Sequence, residues 1–388
     1  MQFYVSRVPI FLLSITFSLF YSSQIGLESR AYFTFVATVS LLVTGLAITG
    51  ISLHSRILRE RNPADFNIAP YFGLIFVILV LNSGFTLTFI RIYQELANTP
   101  IPNSLVIVSV MYSCTAALTF GLQEGLLLLK RIRLTLLLDI SNIFLQIALY
   151  FFFVSLQSLS TLVCVFLAYS FAYSFISFST TVVLLTNFSF KLMGFFSGVR
   201  ELLHKSWVSY FVAISEVTND RLEKLFLGLI AAPALLSQYS VAITPMGIFR
   251  IIVDAFSKVH SVRGKNRVLT SSKYLLLFAL LLSFLSAAFI YLLIRITLGS
   301  EWLLSPLVLL LICLQELLRA YLMMPIRQIL YFEKKNYVIF YFVYSILCSL
   351  FVFPLSLIQF GTTIAFSVNL SLVILQVVLT RTVVNQIT

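Results

Sequence analysis

Charge is scarce in this sequence: 14 of its 388 residues are Asp or Glu, 26 are Lys or Arg, and charged side chains make up only 10% of the chain. A soluble globule of this length cannot clothe its surface with so little charge. The four cysteines, Cys114, Cys164, Cys313 and Cys348, stand singly inside apolar runs, without CxxC or CxH spacing. That excludes a disulfide framework and a metal site. The three histidines, His54, His204 and His260, fall at helix ends and form neither HExxH nor a triad. No Walker loop and no GxGxxG occur, so neither ATP hydrolysis nor a dinucleotide cofactor is indicated.

What the sequence has instead is apolar length. Hydrophobic residues make up 60% of it, at a mean hydropathy of +1.02. The runs last about 20 residues, the span of a membrane helix, whereas a barrel strand shows alternating polarity over about ten. Twelve helices are expected, near 6–24, 31–53, 69–91, 104–128, 135–155, 160–184, 207–230, 236–257, 274–295, 303–323, 337–358 and 363–383. The first could pass for a signal peptide, but no small-x-small cleavage site precedes the polar turn Ser22 to Glu28, so it is read as a span.

The net charge of +12 does not point to nucleic acid, because no stretch between spans is long enough to fold into a basic domain. It marks topology. Alternate loops carry Arg7; Arg56, Arg59 and Arg61; Lys130, Arg131 and Arg133; Lys191, Arg200 and Lys205; Lys258 to Lys273; Lys334 and Lys335; and Arg381. The opposite loops carry only Arg30, Arg91 and Arg295. Both termini are therefore expected on the cytoplasmic side. The expected organisation is a six-helix lobe over 1–186, a cytoplasmic linker over 187–206 and a second six-helix lobe over 207–388. Within the linker, residues 190–196 are amphipathic enough to lie along the membrane surface, the alternative being a solvated connection. A polar residue before a basic turn recurs at Glu124 and Gln328, as a six-plus-six repeat would require.

Against this apolar background the segment 207–231 places five charges near the middle of a span: Glu216, Asp220, Arg221, Glu223 and Lys224. Each would cost about 2.5–3.5 kcal/mol at membrane depth on insertion scales, so they must face protein or water. Helical spacing puts Glu216, Asp220 and Glu223/Lys224 on one stripe. Span 8 adds Arg250 and Asp254 after Pro245, which removes a backbone hydrogen bond and can bend the helix. Span 10 adds Glu316 and Arg319, and span 5 has Asp139. Two readings are open. The pairs neutralise one another inside protein, or they line a hydrated cavity in which arginine forks suit an anionic cargo. Glu216, Asp220, Glu223 and Asp254 are the candidate proton or sodium sites, and Arg250, Arg319, Arg221 and Lys224 the candidate substrate sites.

Two stretches carry a family resemblance. Residues 25–55, IGLESRAYFTFVATVSLLVTGLAITGISLHS, resemble the first outer turn and second span of bacterial polysaccharide flippases. Residues 219–249, NDRLEKLFLGLIAAPALLSQYSVAITPMGIF, look like the hairpin of spans 7 and 8 in the same family, at Asp220, Leu227, Gly228, Tyr239 and Ala242. Gln238 stands where a Gly usually precedes that Tyr, a departure at the turn. The resemblance is to Wzx-type O-antigen or capsule repeat-unit flippases, within the multidrug/oligosaccharidyl-lipid/polysaccharide (MOP) exporter superfamily.

It implies an all-α polytopic membrane protein with twelve transmembrane helices in two six-helix lobes around a central cavity, in the bacterial inner membrane. The implied cargo is an undecaprenyl-diphosphate-linked oligosaccharide, passed from the cytoplasmic to the periplasmic leaflet by rocking of the lobes, with Pro245 and Pro354 as bending points. The bilayer, a polysaccharide polymerase and a chain-length regulator are the expected partners. No cofactor is expected beyond H+ or Na+ as coupling ion, and no enzymatic activity. The alternatives are a membrane polysaccharide polymerase, whose usual large arginine-bearing periplasmic loop has no counterpart in these short outer loops, and a small-molecule antiporter of the same superfamily.

Overall fold

A computed structural model describes residues 2–61, 67–97, 100–128, 132–188, 191, 195–205, 221–247, 272–331, 343–344 and 346–387. The expected all-α polytopic fold is what it shows. The helices are α1 (Gln2–Arg61), α2 (Ala69–Ala97), α3 (Asn103–Leu128), α4 (Ile132–Ser155), α5 (Thr161–Asn187) and α6 (Phe195–Lys205). They continue with α7 (221–230), α8 (Pro233–Ile243), α9 (Ser272–Thr297), α10 (Pro306–Tyr331) and α11 (Phe353–Ile387). Their outward faces are apolar, as lipid requires: Phe76 and Val80 on α2 and Ile296 on α9 are among the exposed large side chains.

Two of these helices are hairpins. A straight α1 would be about 90 Å long, three times the hydrocarbon core. It reverses instead at Gly26 (φ 76°, ψ 172°), a backbone region open essentially to glycine alone. Beyond the reversal Arg30 folds back until its Nη2 lies 3.1 Å from Ser18 Oγ, atoms that a continuous helix would hold about 18 Å apart along its axis. The expected polar turn from Ser22 to Glu28 is thus helical on both sides of one residue. Polar side chains there do not mark a loop, because at the end of a span they project into headgroups or bond one another. Helix α11 reverses in the same conformation at Gly361 (φ 79°, ψ −178°), which brings the Phe353 and Phe366 rings to 5.6 Å.

The chain divides into two compact units, one formed by Met1–Ala31 with Ile230–Thr388, the other by Tyr32–Leu229. In the first, α10 packs against α9 and α11, and α8 packs against α9 and α10. Leu318 and Leu322 of α10 meet Leu370 and Val373 of α11 in its core. In the second, α3 lies against α2 and α5, and α4 packs on α5. Its core includes Tyr71, Ile75, Leu122, Leu126, Ile176 and Leu184, with the Tyr71 hydroxyl donating to the carbonyl of Gly121 at 2.7 Å. Helix α6 starts where the expected amphipathic stretch ends and packs on α2.

Candidate transport site

The charged segment of span 7 enters the described structure at Arg221; Glu216 and Asp220 lie outside it. On α7 the Glu223 side chain is 1% exposed, beside the buried Leu222, Leu225 and Leu227, while Arg221 and Lys224 are half-buried. A helical rise of 1.5 Å per residue puts Glu223 about 12 Å inward of the turn that ends α7, well inside a hydrocarbon core of about 30 Å. The stripe inferred from spacing therefore contains at least one carboxylate that is held in protein and away from lipid.

In the unit that contains α10, Glu316 (3% exposed) and Arg319 (7%) form an ion pair, with Nη1 to Oε1 at 3.1 Å one helical turn apart. This contact is mutual neutralisation of the kind weighed for the pair. One turn outward, Cys313 Sγ approaches Met246 Sδ at 3.7 Å, which places the broken part of span 8 beside α10. That break is the predicted effect of Pro245. Helix α8 ends at Ile243, and the chain continues through tight turns in which Met246 N–H donates to the carbonyl of Ile243 (3.0 Å) and Gly247 N–H to that of Thr244 (3.3 Å). Because Pro245 has no N–H, the buried Val241 carbonyl loses its helical donor at membrane depth. Arg250 and Asp254, on the far side of the break, lie outside the described residues. The second expected bending point, Pro354, is passed differently: a π-turn over Cys348–Val352 carries the helix into α11 without interruption. Asp139 is hydrogen-bonded, accepting from Gln123 Nε2 at 3.2 Å.

Two buried polar assemblies escaped the sequence reading. Arg30, assigned only to an outer loop, is 4% exposed. Its guanidinium donates to the Tyr21 hydroxyl, to Ser18 Oγ and, at 3.4 Å, to Ser240 Oγ of α8, and lies 4.8 Å from the Tyr21 ring centroid. Ser237 of α8 donates to the Leu27 carbonyl at 2.5 Å. The first span is thus fastened to α8 near their outer ends. In the other unit, Asn82 sits fully buried at the middle of α2, donating to the Ser113 carbonyl (3.0 Å) and Ser40 Oγ (3.3 Å), while Thr86 and Ser113 share a hydroxyl contact at 2.6 Å. A lone asparagine midway along an apolar run was the available signal for this second assembly. The Arg30 assembly left none, since its partners come from three separate stretches.

No family model matches the chain, and no curated protein matches it by sequence. Solved structures do match in fold. The Vibrio cholerae MATE transporter VcmN, solved as a mutant form, superposes with a TM-score of 0.63 at 14% identity, over 99% of this chain and 95% of that one. A MOP superfamily transporter from Pyrococcus furiosus, described as having a binding pocket of reversed polarity, gives 0.60 at 13% identity, over 99% and 96%. A MATE protein in complex with MaL6 gives 0.56 at 12% identity, over 100% and 94%. The fold of this chain is therefore the one shared by these MATE and MOP transporters, which in the MATE-like neighbours has twelve transmembrane helices in two lobes.

Proposed function

We propose that this chain is a cation-coupled transporter of MOP type that moves a small organic solute across a membrane by alternating access. The observation that carries the reading is the burial of two carboxylates, Glu223 and Glu316, within spans of a fold shared with MATE transporters. A buried carboxylate takes up a proton or a cation when its surroundings change, which is the property a coupling site needs. The buried charged residues among those described, Arg30, Glu223, Glu316 and Arg319, are not predominantly basic, which supports coupling carboxylates better than a basic pocket for an anion. Glu223 and Glu316, with Glu216, Asp220 and Asp254, are assigned to coupling. Arg319, Arg221, Lys224 and Arg250 are assigned to cargo contact, Arg319 by exchanging Glu316 for the cargo.

The test is dye efflux from proteoliposomes under an imposed proton or sodium gradient, with Glu223→Gln and Glu316→Gln beside the parent. Gradient-driven movement that both variants lose supports the assignment; dye movement indifferent to every gradient rejects it.

A second reading is flipping of undecaprenyl-diphosphate-linked oligosaccharide from the inner leaflet of a bacterial cytoplasmic membrane, in concert with a polymerase and a chain-length regulator. It is favoured by the residues that resemble polysaccharide flippases: Leu227, Tyr239 and Ala242 are all packed inside. Gln238, the departure from that pattern, lies within α8 and donates to the Glu301 carbonyl at 2.7 Å. Translocation of a labelled lipid-linked oligosaccharide in the same vesicles, without dye movement, would select this reading.

A further inference from the structure

The linker helix α6 has one face used and one face free. Phe195, Val199 and Leu202 recur at helical spacing, with Leu202 in the core and Val199 packed against it. Phe195 presses on α2 where Gly73 has no side chain, and Gly198 leaves room for Pro70, whose Cγ would stand 2.6 Å from an added Cβ. Upstream, Asn67 and Lys191 bond reciprocally through the Asn67 side chain and the Lys191 backbone, at 2.7 and 3.1 Å, which leaves the lysine side chain exposed. The helix is therefore clamped to the first turns of α2, and its position relative to the bilayer can be read from that helix. The lipid-facing surface of α2 begins at Phe76, one turn or about 5 Å beyond Gly73.

On the free face Phe196 is 84% exposed, the most exposed large apolar side chain among the described residues. Arg200 follows it by four residues on the same stripe and is exposed as well. An aromatic ring beside an arginine, a helical turn from the hydrocarbon edge and on the side of the basic loops, suits a leaflet bearing anionic phosphate: the ring enters the acyl boundary while the cations meet headgroups. We propose that α6 is a binding surface for anionic phospholipid, with Phe196 inserted in the leaflet and Arg200 and Lys191 holding the phosphate, so that the linker is seated by lipid charge. This holds whatever the cargo is.

The test uses the full chain in nanodiscs of phosphatidylcholine alone or mixed with phosphatidylglycerol, brominated on one lipid at a time. Phe196→Trp adds a reporter over the native Trp207 and Trp302, whose signal the parent chain supplies. The added emission should be blue-shifted and quenched several-fold more by brominated phosphatidylglycerol than by brominated phosphatidylcholine. Lys191→Gln with Arg200→Gln should abolish that preference while keeping the quenching, and Lys191→Arg with Arg200→Lys should retain it. A water-like emission with no quenching above the parent overturns the proposal, as does equal quenching by both lipids or a preference that survives the double glutamine variant.

Discussion

The reversals at Gly26 and Gly361 share one backbone conformation and are closed by opposite chemistry. At Gly26 the arms are joined by polar groups, with Arg30 donating to Ser18 and Tyr21, and Ser237 of α8 donates to the Leu27 carbonyl beside the turn. At Gly361 they are joined by rings, with Phe353 on Phe366 at 5.6 Å, and Tyr239 of α8 stacks on Phe366 at 5.5 Å. In both turns an added Cβ meets nothing within 4 Å, so the demand for glycine is one of torsion and not of space. The shape of a one-residue hairpin is thus set locally, and what holds its arms together is set by packing. Where the connection is longer, as between α4 and α5, the left-handed residue is Gln157 (φ 52°) and no glycine is needed.

That separation can be broken or sharpened by thermal unfolding of five variants in detergent. The largest loss should come from Phe366→Ala, because truncating a fully buried aromatic costs about 3–5 kcal/mol. Arg30→Ala should follow, since a hydrogen bond from a charged group is worth about 1.5–3 kcal/mol. A variant order with Arg30 above Phe366 would mean that the polar closure carries more than its local bonds. Gly26→Ala and Gly361→Ala should each lose about 1–3 kcal/mol, and by similar amounts, because both leave the same torsional strain. Unequal losses would show that one turn relaxes and the other does not. Ser237→Ala, which removes one neutral bond, should lose only about 0.5–1.5 kcal/mol.

The same distinction explains what was legible in the sequence. Apolar length gives the spans directly, and Pro245 announces the end of α8 because a missing N–H is a property of one residue. The polar run Ser22–Glu28 misleads, since polarity near a membrane surface says where a helix ends its passage and not where it ends. Pro354 looked equivalent to Pro245, yet a π-turn absorbs it, and nothing in the residues beside it distinguishes the two outcomes. Among the candidate residues, Glu223, Glu316 and Arg319 were visible because charge in an apolar run is conspicuous. The pairing of Glu316 with Arg319 follows from their spacing. The placement of Arg30 does not: Ser18 and Tyr21 lie across a reversal whose sharpness depends on Gly26, and Ser240 is 210 positions away.

The bonds of Asn82 also have an order in time. Its nearer acceptor, the Ser113 carbonyl, lies 31 residues downstream and follows it out of the ribosome. Until then only the Ser40 hydroxyl, 42 residues upstream, is at hand to take the amide out of hydrocarbon. One amide thus ties the register of three neighbouring spans, with one partner that enters the membrane ahead of it and one that enters behind.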